Sequence, residues 1–111
     1  MTALDKQKVQ AIERNFSNVV DFLDRKLHKT NIHLKEVPCY FYQGNESKLE
    51  ITVFSNPRIA TIDVRMINVR NDAREPYFEC SYDLADLSMT VWEKAIDDLI
   101  SKTNEREKDS L

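Results

Sequence analysis

The chain has 111 residues, of which 41% are hydrophobic and 32% charged, and its net charge is −3. That composition fits one soluble globular domain with a single core and excludes a disordered chain. The mildly acidic balance argues against a surface that grips DNA or anionic lipid without discrimination, since both need excess positive charge.

The opening residues Met1 to Lys6 hold no apolar signal core, and no apolar run approaches the roughly 20 residues of a membrane span, so the cytoplasm is the expected compartment. Ala3 to Lys29 reads as one amphipathic helix, with Val9, Ile12, Phe16, Val19, Leu23 and Leu27 at spacings of three and four. Thr2 with Asp5 forms a capping-box variant at its start, and Asn31 is the expected residue beyond its end.

From Glu36 to about Asp83 the period changes to two. The run 37–42 ends at the turn around Gly44, and Leu49, Ile51 and Val53 then alternate with polar residues as far as Asn56-Pro57. Ala60, Ile62, Val64 and Met66 follow on one parity and Ile67 and Val69 on the other; Phe78, Cys80 and Tyr82 form a fourth run. Folding about Asn56-Pro57 pairs Val53 with Ala60, Ile51 with Ile62 and Leu49 with Val64. Pairing the last two runs works in two registers, Val69 with Phe78 near the loop and Val64 with Tyr82 further along. One extra residue reconciles them, which predicts a β-bulge near Met66-Ile67.

A second helix is expected from about Met89 to Thr103, with Val91, Trp92, Ala95, Ile96, Leu99 and Ile100 as its stripe and Ser88 as its N-cap. Residues 1–103 form one domain and 104–111 a charged, frayed tail. The expected fold class is α+β. A long N-terminal helix, a four-stranded antiparallel meander and a C-terminal helix form two layers, with both helices on one face.

No constellation for catalysis emerges from the spacing. Gly44 is the only glycine, where average usage would give roughly eight. Phosphate-cradling loops, dinucleotide fingerprints and nucleophile elbows need clustered glycines. His28 and His33 lack the spacing of a helical metal pair, and Cys39 and Cys80 are expected as reduced thiols pointing into the core. The carboxylates at Asp21, Asp24, Asp97 and Asp98 suit solvated helix faces. The expectation is a non-enzyme with no cofactor and no metal.

The more informative surface is the sheet face turned away from the helices. Tyr40, Tyr42, Phe54, Ile59, Arg65 and Tyr77 are assigned to it, a composition typical of protein interfaces. The parity of the 37–42 run admits either assignment, because both of its faces are apolar or aromatic. The leading expectation is a protein-binding module, such as an adaptor, chaperone-like factor, inhibitor or immunity protein, acting through that face or by self-association. The alternative is single-stranded nucleic-acid binding through Arg65, Arg70 and the same tyrosines, with Glu50, Asp63 and Glu79 diluting the positive field. The segment Asp86 to Glu93 that opens the second helix holds no lysine or arginine to grip phosphate.

Overall fold

The computed structural model describes residues 3–29, 37–45, 47–56, 58–68 and 76–104. Helix α1 (Ala3–Lys26) leads into strand β1 (His28–Lys29), followed by β2 (Cys39–Gln43), β3 (Ser47–Asn56), β4 (Ile59–Asn68), β5 (Phe78–Asp83) and helix α2 (Met89–Asn104). The strands form one antiparallel sheet in the order β1-β2-β3-β4-β5, with both helices packed on one face. The α+β two-layer architecture is as the sequence predicts, with five strands instead of four. The positions of Thr2, Asn31, His33, Arg70 and the tail 105–111 lie outside the described residues. Among the described residues, no helix is long and apolar enough to cross a membrane.

The additional strand comes from the end of the expected first helix. Leu27 N–H still donates to the Leu23 carbonyl at 2.8 Å, but the helix stops at Lys26. His28 and Lys29 then pair with Phe41 and Tyr40. Leu27 is the last buried residue of the stripe, so no further helical turn would bury anything.

Ile12, Val19, Phe22 and Leu23 of α1 and Trp92, Ile96 and Leu99 of α2 cover the inner sheet residues Leu49, Ile51, Val53, Ile62, Val64 and Met66. Phe22 and Trp92 meet edge to face at 5.2 Å and 66°, which joins the two helices. Asn15 is buried inside the α1 stripe, and its Nδ2 donates to the Leu84 carbonyl at 2.8 Å. Val91, expected in the α2 stripe, is 65% exposed. Trp92, Ile96, Leu99 and Thr103, spaced by four, three and four, already fill the buried face.

The β3–β4 hairpin has the expected parity in a register shifted by two residues, each β3 residue facing a β4 residue two positions further along. Val53 faces Ile62, Ile51 faces Val64 and Leu49 faces Met66, and the ladder runs up to Asn56 opposite Ile59. An even shift leaves every apolar side chain on the same face, so the hydrophobic pattern cannot distinguish the two registers. At the turn, Arg58 N–H donates to Asn56 Oδ1 at 2.9 Å, a side-chain closure typical of asparagine.

β4 and β5 keep a single register from Thr61–Asp83 to Met66–Phe78, and the expected bulge is not found in that ladder. Val64 faces Cys80 and Ile62 faces Tyr82, which satisfies the shared apolar face without an extra residue. Val69, which motivated the second register, lies outside the described residues. Among the described residues, an irregularity stands at the start of β5, where Tyr77 N–H donates to the Met66 carbonyl at 3.0 Å although Met66 faces Phe78.

The β2–β3 hairpin closes against the end of α2. Asn45 N–H donates to the Thr103 carbonyl at 3.0 Å, and Asn45 Nδ2 donates to the Asn104 carbonyl at 3.3 Å. Carbonyls of the last helical turn have no partner within their own helix, and here the hairpin supplies donors to two of them. Gly44 packs so closely that a Cβ there would overlap the Thr103 carbonyl and lie 2.7 Å from Thr103 Cβ.

Candidate functional site: the helix-free sheet face

The pairing registers assign every strand residue to a face. Tyr40, Ile51, Val64 and Cys80 form one row toward the helices, and Cys39, Thr52, Asp63 and Ser81 form the neighbouring row away from them. The 37–42 run is therefore inverted relative to the sequence expectation. Tyr40 is 1% exposed and its hydroxyl donates to Asp24 Oδ1 at 2.8 Å. Tyr42 packs against the core, and its hydroxyl accepts from Asn104 Nδ2 at 2.9 Å. The physical reason is that both hydroxyls reach polar partners on the helices, so the larger tyrosines fill the inner layer. Neither belongs to the outer surface. Burial and the adjacent Asp24 carboxylate push the Tyr40 phenol well above its usual range.

The same inversion brings Phe41 and Cys39 to the outer face. Both cysteines are partly buried and free. Cys39 Sγ accepts from Thr52 Oγ1 at 3.8 Å and donates to the Val37 carbonyl at 3.6 Å, so it lies in the outer layer and not in the core. Cys80 faces inward beside Tyr82, and burial raises its thiol pKa.

Across the middle of the outer face runs the row Phe41, Glu50, Arg65, Glu79. Arg65 donates to Glu50 Oε1 from Nη2 at 2.8 Å and from Nε at 3.2 Å, and Lys48 Nζ sits 3.4 Å from Glu50 Oε2. The Lys48 ammonium also lies 5.1 Å from the centre of the Phe41 ring, on which His28 packs at 5.5 Å. In the next row Ser81 Oγ donates to Asp63 Oδ1 at 2.9 Å. Phe41, Lys48 and His28 were not singled out as site residues in the sequence. His28 falls in the stretch that reads as helix, and Phe41 alternates with residues as aromatic as itself.

One end of this face is apolar. Phe54 pairs with Thr61, and Ile59 is its diagonal neighbour at the turn, 59% exposed. Val37 falls opposite Phe54 when the β2–β3 register is carried one step beyond Pro38, whose carbonyl accepts from Val53 N–H. Next to Ile59 an open groove of about 440 Å³ is lined by Lys8, Arg58, Ala60, Tyr82 and Asp83 among others. Tyr77 stands apart at the start of β5, exposed, with its hydroxyl donating to Ser47 Oγ at 2.7 Å.

Of the six residues assigned to the site from sequence, Phe54, Ile59 and Arg65 lie on the helix-free face, Phe54 and Ile59 at one end and Arg65 at its middle. Tyr77 is exposed at its margin, and Tyr40 and Tyr42 serve the core. Compared with known proteins, the chain matches no family model, no curated protein and no solved structure. What the face can do follows from its own side chains. It offers an apolar corner beside a neutralised ladder of charge, which suits desolvation against another apolar surface. Among the described residues, no cluster of three or more histidine, cysteine or acidic side chains is arranged to hold a metal.

Proposed function

We propose that this chain is a non-enzymatic protein-binding module that docks its partner on the helix-free sheet face. The observation that carries the reading is the apolar corner formed by half-buried Phe54 and exposed Ile59, on the same face as the Arg65–Glu50–Lys48 network. Apolar centres flanked by ordered polar groups are the anatomy of protein interfaces. The network favours a protein over a nucleic acid. Arg65 is paired to a carboxylate on its own face, and Asp63 and Glu79 flank it, so little free positive charge remains for phosphate. The tyrosines expected to stack bases at Tyr40 and Tyr42 are engaged with the helices.

Affinity capture from native lysate, with and without nuclease, tests the proposal when wild type is compared with Ile59→Asp. The expected result is a protein that survives nuclease treatment and is lost from the variant. Capture that disappears with nuclease would transfer support to single-stranded nucleic acid bound near Arg65. Identical capture by the variant would remove the apolar corner from the site.

A further inference from the structure

We propose that two copies of the chain pair through the free edge of β5, joining their sheets into one continuous ten-stranded sheet with a two-fold axis at Cys80. This edge borders the helix-free face, on which Glu79 and Ser81 also lie, and the proposal does not depend on the identity of a partner there.

β5 is the last strand of the sheet. Leu84 N–H donates to the Ala60 carbonyl at 2.9 Å, which continues the Thr61–Asp83 register by one step. Antiparallel pairs alternate between hydrogen-bonded and non-bonded, so Phe78, Cys80 and Tyr82 direct their backbone groups to β4. Glu79, Ser81 and Asp83 therefore direct theirs to the open side, where no described residue meets them. The strand Phe78–Asp83 has no proline or lysine, two of the residues that blunt an edge, and its charges are Glu79 and Asp83, whose repulsion restricts the registers in which it can pair.

The side chains select a second copy and its register. With both sets of helices on the same side, each residue of β5 opposes one of its own parity in the other copy. Centring the pair on Glu79 sets Glu79 against itself. Centring it on Ser81 sets Glu79 against Asp83 twice. Both registers oppose like charges directly, which is unfavourable, and centring on Phe78 or Tyr82 pairs only one end of the six-residue strand. Centring on Cys80 sets Glu79 against Ser81 and Phe78 against Tyr82. Phe78 is 40% exposed in the single chain and would be covered by that aromatic pair. Glu79 and Ser81 then form the hydrogen-bonded pairs, using the backbone groups the strand leaves open. Cys80 meets its counterpart at a non-bonded position, where Cα atoms lie about 4.5 Å apart, within the span of a disulfide.

The test combines sedimentation equilibrium of the reduced protein with cross-linking by diamide at about pH 8.5, chosen because burial raises the Cys80 thiol pKa. Diamide takes two electrons and two protons from two thiols, forming one S–S bond and a hydrazine. A concentration-dependent dimer is expected, covalently trapped in wild type and in Cys39→Ser but not in Cys80→Ser. Ser81→Glu places a second acid against Glu79 at two symmetric positions, and roughly a two- to tenfold weaker dimer is expected. Ser81→Lys at the same positions should tighten it by a similar factor. If Ser81→Glu fails to fold by circular dichroism, Ser81→Lys carries the comparison alone. A monomer persisting to about 1 mM, far above typical specific affinities, would overturn the proposal. So would a cross-link that survives Cys80→Ser, or a dimer indifferent to the charge at position 81.

Discussion

The backbone of Gly44 lies directly against the carbonyl of Thr103, leaving no room for a single methyl group. Gly44 N–H also donates to the Ser47 carbonyl at 2.9 Å, so the hairpin is closed on one side while it presses on α2 on the other. The neighbouring Asn45 makes the hydrogen bonds to the helix end, and glycine is what permits the approach.

Gly44→Ala should therefore destabilise the fold by about 1–3 kcal/mol, the usual cost of forcing an extra methyl into a packed contact. Urea denaturation of the two proteins measures it. A neutral result would mean that the hairpin can withdraw from Thr103 without loss.

Tyr42→Ala and Phe54→Ala separate the two faces of the sheet. Tyr42→Ala removes core packing and the Asn104 hydrogen bond, and a loss of about 2–3 kcal/mol is expected. Phe54→Ala, on the outer face, should stay within about 1 kcal/mol of wild type while weakening capture of the partner. Thermal melts of both proteins check the assignment, and the reverse order of stabilities would contradict it.

Asn15→Leu is expected to destabilise although it adds apolar surface to a buried position. The Leu84 carbonyl would lose the donor it receives at 2.8 Å, at a cost of about 1–3 kcal/mol. Chemical denaturation reads the change. A stabilised variant would show that Leu84 is satisfied by Asn15 only incidentally.

Alkaline stability should depend on Tyr40. Its phenol is held above the ordinary value of 10.0, chiefly by burial and then by Asp24. A raised folded pKa stabilises fully below the unfolded value, and that stability is lost as pH rises from about 10 toward the folded pKa, because the unfolded chain releases its proton first. Unfolding free energy should fall above pH 10 in wild type and fall less steeply in Tyr40→Phe. Tyr82, raised by burial and then by Cys80, contributes a remaining slope in both proteins. Parallel curves for the two proteins would exclude Tyr40 as the titrating group.

The layers of this fold were legible where one parity of a segment was unambiguously apolar. Leu49, Ile51 and Val53 alternate with Glu50 and Thr52, and Ile12, Val19 and Leu23 recur at helical spacing, so their faces followed from pattern alone. The 37–42 run carries Val37, Cys39 and Phe41 on one parity and Tyr40 and Tyr42 on the other. Only the hydrogen bonds to Asp24 and Asn104 decide between them, and those form after the helices dock. The β3–β4 register escaped for a different reason, since a shift of two residues leaves the apolar pattern unchanged. His28 and Lys29 carry no strand signature at all. Their pairing to Phe41 and Tyr40 depends on where α1 stops. The face of Phe54, Ile59 and Arg65 follows from the sequence because they lie on strands with clear alternation.

The union of Asn45 with the end of α2 bears on the order of events during synthesis. The groups it joins are 59 positions apart, Asn45 on a hairpin made early and Asn104 near the last turn of the final element. The meander can pair as it emerges, because its described hairpin connections are short, and α1 precedes it and can cover part of the inner layer. Trp92, Ile96 and Leu99 arrive last, at the roughly 5–20 residues per second of translation. Until they do, apolar side chains such as Ile51 and Val53 lack the cover that α2 supplies. The inner layer is therefore complete only when α2 has docked on a meander and a helix that precede it in the chain.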